Sequence, residues 1–146
     1  ILDNVRSAIN VGSVFRTSDA FRIEKIYLSG ITASPPNKEI RKSALGSTKS
    51  VAWEKVESTE DIVIKLRNEG YEICSVEQTD SSVMLNDFCR TKKPIVLIFG
   101  NEVNGVKQSV IDISDTCLEI PQIGTKHSLN ISVSIGIVVW QLYNTI

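Results

Sequence analysis

The chain has 146 residues, 42% hydrophobic and 23% charged, with a formal net charge of −1. These proportions belong to a globular protein of one domain with a real core, residues 1–146. They exclude a global basic field aimed at nucleic acid, leaving room only for a local patch. With one histidine, His127, the sequence argues against a zinc site. Cys74, Cys89 and Cys117 lie in or near apolar runs without a CxxC, so buried free thiols are expected. No signal peptide or membrane-length apolar run is visible, and the expected location is the cytoplasm. The first residue is Ile rather than Met, consistent with a natural start further upstream.

Ile1 to Val5 reads as the end of a strand. Val11, Val14, Phe15 and Ala20-Phe21 recur at helical spacing, with Asn10 as the expected N-cap. Lys25 to Gly30 is a short β-rich run closed by glycine. Ser34 to Asn37 is a loop, Lys38 to Leu45 a short basic helix, and Val51 to Val56 a strand. Ser58 to Gly70 is the cleanest helix, opened by Ser58 with Asp61 and closed by Gly70. Tyr71 to Val76 is a strand followed by a polar loop. Pro94 to Phe99 is apolar on both faces, the pattern of a central parallel strand. Val106 to Ile113 forms a short helix, and Cys117 to Ile120 is the last clear strand. Strands alternating with helices predict a parallel α/β sheet of about five or six strands flanked by helices.

The stretch after Cys117 resists assignment by period. Leu129, Ile131, Val133, Ile135 and Ile137 alternate with Asn130, Ser132, Ser134 and Gly136, the rhythm of a half-buried strand. Its length is ordinary for a helix and long for a strand. Both assignments stay open at this level.

Three segments place glycines or polar groups just after apolar runs, where open α/β sheets bind ligands. The first carries Arg6, Asn10, Gly12 and Arg16. From spacing alone Arg16 is either a surface arginine paired with Asp19 or a cation aimed at a phosphate or reacting oxygen. The second is Phe99 to Val106, where Gly100 and Gly105 would let backbone approach a ligand and Glu102 is a candidate acceptor. It is neither GxGxxG nor a phosphate-binding P-loop, so neither a nicotinamide cofactor nor NTP hydrolysis is indicated. The third runs through Pro121, Gly124, Lys126 and His127 to Ser128 and Asn130. Taken singly, Ser128 reads as an N-cap and Asn130 as a surface amide. Lys38, Arg41, Lys42 and Lys49 form either a solvated basic face or a phosphate-contacting patch.

Together these segments are far more specific. N-x-G-x-x-x-R-T at Asn10 to Thr17, G-N-E-x-x-G at Gly100 to Gly105, and I-P-x-x-G-x-x-x-S-L-N-x-S-V-S at Ile120 to Ser134 occur in that order. The chain resembles the SpoU (TrmH-like) branch of the SPOUT RNA methyltransferases over nearly its whole length. VEQTDSS (Val76 to Ser82) and KEIRKSALGS (Lys38 to Ser47) fit the same family.

The resemblance implies a parallel α/β sheet whose C-terminal part is tied in a deep trefoil knot, with Ser128 onward helical. It implies S-adenosylmethionine bound in the knot's loops, at Val76, Glu77, Phe99, Gly100, Asn101, Glu102, Ile120, Pro121, Ile123, Ser128 and Leu129. The catalytic arginine falls on Arg16 and its supporting asparagine on Asn10, with Glu102, Ser128 and Asn130 at the other functional polar positions. A homodimer with the site at the subunit interface is implied, Arg16 acting beside the partner's cofactor. The reaction would move a methyl group to a ribose 2′-hydroxyl, leaving S-adenosylhomocysteine. Either Arg16 is transiently deprotonated or it stays charged and stabilises a developing alkoxide. RNA contact would fall to Arg6, Arg22, Lys38, Arg41 and Lys42, since the basic extensions of some members are not seen. Arg22 departs from the family, which has glycine there. tRNA is the first expectation for the substrate, ribosomal RNA the rival, and a non-catalytic RNA-binding module the reading from another class.

Overall fold

The computed structural model describes residues 1–126 and 128–145; His127 lies outside them. Among the described residues, seven parallel strands form one sheet: β1 (Leu2–Asp3), β2 (Lys25–Ser29), β3 (Ala52–Val56), β4 (Glu72–Val76), β5 (Val83–Met84), β6 (Ile95–Phe99) and β7 (Thr116–Glu119). Their order is β3-β2-β1-β6-β4-β7-β5. The helices are α1 (Ala8–Ala20), α2 (Lys38–Ala44), α3 (Thr59–Asn68), α4 (Gln108–Asp112) and α5 (Ile131–Tyr143), with a 3-10 turn at Ser47–Lys49. The count exceeds the expected five or six because β5 is a two-residue strand, Val83–Met84, too short to register as a strand just after the polar Glu77 to Ser82 loop. No helix among the described residues is long and apolar enough to cross a membrane.

The alternation within each strand explains the layering. In β6, Val96 and Ile98 face a core shared with Ile62, Val63 and Leu66 of α3 and Val110 of α4. Ile95, Leu97 and Phe99 face the other core, built on α1, α2 and α5. A strand apolar on both faces is therefore central, as its composition predicts, and it lies between β1 and β4.

Two helix starts differ from expectation. Helix α1 is capped by Ser7, whose hydroxyl accepts from the Asn10 N–H at 3.2 Å, so Asn10 stands one turn inside the helix. Helix α5 is capped by Asn130, whose side chain accepts from Ser132 N–H at 2.9 Å, so Ser128 precedes the helix and is not its cap. Both N-caps are hydroxyl or amide side chains, and sequence alone does not rank neighbouring candidates of the same chemistry. Cys89 is exposed, unlike the buried free thiols Cys74 and Cys117. Apolar neighbours in sequence do not bury a residue in the loop that leads to β6.

The C-terminal stretch is a helix, and its two-residue alternation has a cause. Ile131, Ile135, Val138, Val139 and Leu142 are buried against the core. Val133, Ile137 and Trp140 form a second row, exposed, also at helical spacing. Two rows a half-turn apart interleave in sequence as a period of two. Phe21 at the end of α1 meets Trp140 and Tyr143 edge-on, with centroids 6.1 and 5.6 Å away.

Candidate active site

A cavity of about 460 Å³ opens at the carboxyl ends of β4, β6 and β7, walled by the loops that follow them and by the start of α5. This is the place ligands occupy in open α/β sheets. Of the positions expected to hold the cofactor, Val76, Glu77, Phe99 to Glu102, Ile120, Ser128 and Leu129 line it. Pro121 and Ile123 are not among its lining residues, and Ile123 is fully exposed. Gln78, Glu119, Gln122 and Ser134 line it without having been singled out. Glu119 ends β7 and Gln122 follows it by three, so the strand-end rule would have found both.

The loop from Gly100 to Val106 folds on itself. Asn101 and Gly105 exchange backbone hydrogen bonds of 3.0 and 2.8 Å, and the Asn101 side chain accepts from the Val103 and Asn104 N–H groups. A Cβ on Gly100 would stand 2.2 Å from the Gly105 carbonyl carbon, and one on Gly105 would stand 2.1 Å from Glu77 Oε2. These glycines allow close approach within the loop, and both also line the cavity. Glu77 is similarly engaged: Oε1 accepts from Gln78 N–H at 2.9 Å and Oε2 from Val106 N–H at 3.0 Å. It braces the β6 loop from the loop after β4.

Glu102 reaches the start of α1. Its carboxylate accepts from the N–H groups of Arg6 at 2.8 Å and Ser7 at 3.0 Å, and from Asn10 Nδ2 at 3.4 Å. Asn10 Oδ1 accepts in turn from Asn130 Nδ2 at 3.3 Å. Two bonds, spanning 92 and 120 residues, thus form one chain, Glu102–Asn10–Asn130. An anion at a helix N-terminus also sits favourably in the helix dipole.

Burial pushes the Glu102 carboxyl up, but the Arg6 and Ser7 N–H groups outweigh it and hold it below the usual carboxylate range. Such a group adds stability that is complete above its unfolded value of about 4.3 and is lost as pH falls through the lower folded value. Glu102→Gln should therefore lower the thermal midpoint at neutral pH, with the gap closing at more acid pH. A gap independent of pH would show that the carboxylate's charge is immaterial there.

Arg16 is exposed on α1 and is not among the lining residues of the cavity. It does not pair with Asp19, whose carboxylate accepts from Ser50 Oγ at 2.5 Å. Arg6, Lys38, Arg41 and Lys42 are exposed, Lys42 pairing with Glu39 at 3.2 Å. Arg22 lies at the opposite end of α1 from Glu102, about 20 Å along the helix, so the structure does not bring it to this cavity. Its φ of 52° is left-handed, a conformation that glycine would take without strain. The buried thiols offer no nucleophile: burial pushes Cys74 up to about 12 and raises Cys117 as well.

A parallel sheet with a carboxyl-edge cavity joined to a helix N-terminus is the architecture of a ligand-binding α/β protein, and methyltransferases are among the solved structures similar to it. The fold superposes on the Aquifex aeolicus TrmH/SpoU tRNA modifying enzyme with a TM-score of 0.88 at 30% identity, covering 99% of this chain and 72% of that one. It superposes on the AdoMet-bound rRNA methyltransferase from Sinorhizobium meliloti with a TM-score of 0.91 at 29% identity, covering 98% and 54%. The tRNA (guanosine(18)-2′-O)-methyltransferase of Aquifex aeolicus is 33% identical over 95% of this chain and 65% of its own length. The enzyme of the same description from Escherichia coli K12 is 26% identical over 96% and 60%. The chain therefore spans about two thirds or less of the curated relatives it matches. Residues 1–140 match the SpoU rRNA Methylase family model, and the chain belongs to that family.

Proposed function

We propose that residues 1–146 form one SPOUT domain that transfers a methyl group from S-adenosylmethionine to a ribose 2′-hydroxyl of RNA, in the cytoplasm, with tRNA as substrate. The observation that carries the reading is the Glu102–Asn10–Asn130 chain, which joins the three motif segments at one cavity. The two tRNA 2′-O-methyltransferases similar to this chain favour tRNA. The Sinorhizobium enzyme keeps ribosomal RNA as the second reading.

The cavity fits the cofactor chemically. Among the described residues that line it are Glu77, Glu102 and Glu119, and no Lys or Arg, which suits a cationic ligand. Val76, Phe99, Leu118 and Ile120 supply apolar walls for a nucleoside base. When bound, S-adenosylmethionine supplies a methyl group on a sulfonium, a good leaving group. The protein's part is alignment and stabilisation of the oxygen that develops charge. Arg16 has only donors, and a guanidinium stays charged at any ordinary pH. Its proposed role is to steady the developing alkoxide while the hydroxyl proton passes to water, with Glu102, Ser128 and Asn130 fixing the geometry around the hydroxyl.

We further propose a homodimer through α1 and α5, each subunit lending Arg16 to its partner's cavity. Ile9, Val133, Ile137 and Trp140 are large apolar side chains exposed on these packed helices, of the kind that subunits bury. A trefoil-knotted C-terminal path is proposed with it, supported by Ser128, Leu129, Asn130, Ile131 and Ser134 lining the same cavity as the loops after β4 and β6, and by α5 packing on α1. Transfer of labelled methyl into bulk tRNA, with rRNA in parallel, tests the activity. Cofactor titration by calorimetry separates the enzyme from a bare RNA-binding module, for which no heat of binding would be found.

A further inference from the structure

We infer that Ile31, Arg6 and Val103 form a seat for an unstacked nucleobase of the RNA substrate, at the rim of the cavity beside Glu102. The inference rests on the proposed methyl transfer to RNA and adds what holds the target nucleotide.

The loops after β2, β1 and β6 stand side by side because those strands are neighbours in the sheet. Hydrogen bonds fix their spacing. Asn4 Oδ1 accepts from Ile31 N–H at 3.1 Å, and the Asn4 carbonyl accepts from Asn101 Nδ2 at 2.8 Å. Asn101 Oδ1 accepts from Val103 N–H at 2.9 Å. Two asparagines therefore pin Ile31 on one side and Val103 on the other of the segment that carries Arg6. Asn4 is held with φ 55° to do so, and a Cβ on Gly30 would stand 2.1 Å from its Oδ1. Close packing fixes this arrangement.

Ile31 is 66% exposed and Val103 70%. A single exposed aliphatic residue needs no explanation. Two of them, rigidly held on either side of an exposed arginine, call for a partner with an apolar face and a negative charge nearby. An RNA nucleotide has both. Its base is gripped by apolar side chains and guanidinium planes once it leaves the stack, and its phosphate attracts the cation. Arg6 N–H bonds the Glu102 carboxylate at 2.8 Å, so a base seated here has its ribose at the mouth of the cavity.

The test is the double variant Ile31→Ser/Val103→Ser, assayed with bulk tRNA and labelled S-adenosylmethionine, with cofactor affinity measured by calorimetry. The expected result is a fall of about 10- to 100-fold in kcat/KM for RNA, a far smaller change in S-adenosylmethionine affinity, since Val103 also lines the cavity, and recovery of most of the loss in Ile31→Leu/Val103→Leu. A double variant that methylates RNA as fast as the wild type overturns the seat alone. A loss of cofactor affinity that matches the loss of kcat/KM overturns it too, by showing that the loop itself has moved. Wild-type protein that methylates neither tRNA nor rRNA overturns the proposed function, and the seat with it.

Discussion

Arg16→Ala is expected to lower methyl transfer by about 10²- to 10³-fold while leaving S-adenosylmethionine affinity nearly intact. Asn10 lies in the Glu102–Asn10–Asn130 chain, and Arg16 stands six residues further along α1, about 9 Å beyond it and outside its own subunit's cavity. A residue that does not touch the cofactor in its own subunit has no reason to change its affinity strongly. A residue that supplies charge to the reacting oxygen has every reason to change turnover. Mixing Arg16→Ala subunits with subunits unable to hold the cofactor sharpens this. If Arg16 acts across the interface, random reassociation restores about a quarter of wild-type activity, one intact site in half of the dimers. No restoration would place Arg16 in its own subunit's site, and full activity in Arg16→Ala alone would remove it from catalysis.

Gly100→Ala supplies the second subunit and is the largest expected effect on cofactor binding. The added methyl group would sit 2.2 Å from both the Gly105 carbonyl carbon and the Val106 nitrogen, which are backbone atoms that cannot rotate away. The loop must open, breaking the Asn101–Gly105 pair and moving Glu102 away from the Arg6 and Ser7 N–H groups. Overpacking of this kind destabilises by about 1–3 kcal/mol, and a displacement near 1 Å at the site reduces turnover by about 10²-fold. Urea midpoints measure the first effect, and the labelled-methyl assay beside calorimetric titration of the cofactor measures the second. Unchanged values in both would mean that the loop has room the structure does not show.

The sequence's periodicities locate most of the layers. The doubly apolar run at Ile95–Phe99 marks the sheet's centre, and Ser58 caps α3 as its spacing with Asp61 suggests, accepting from the Asp61 N–H at 3.1 Å. Local pattern fails where a residue serves two surfaces. The period of α5 stays ambiguous between strand and helix because its inner and outer rows are both apolar, and only tertiary packing separates Ile131 and Ile135 from Val133 and Ile137. The motif segments point to the loops that wall the cavity, but not to what the side chains do in them. Glu77 is engaged as a brace for Val106, and Asn10 is a link between Glu102 and Asn130. Such bonds span roughly 30 to 120 residues, and no window along the chain contains both ends.

The most direct measurement is the chemical position of the transferred methyl group. Bulk tRNA and rRNA are incubated with the protein and labelled S-adenosylmethionine, digested to nucleosides and resolved. Label in a 2′-O-methyl nucleoside is the predicted result, absent in Arg16→Ala. Label in a methylated base would contradict a site built around a ribose hydroxyl.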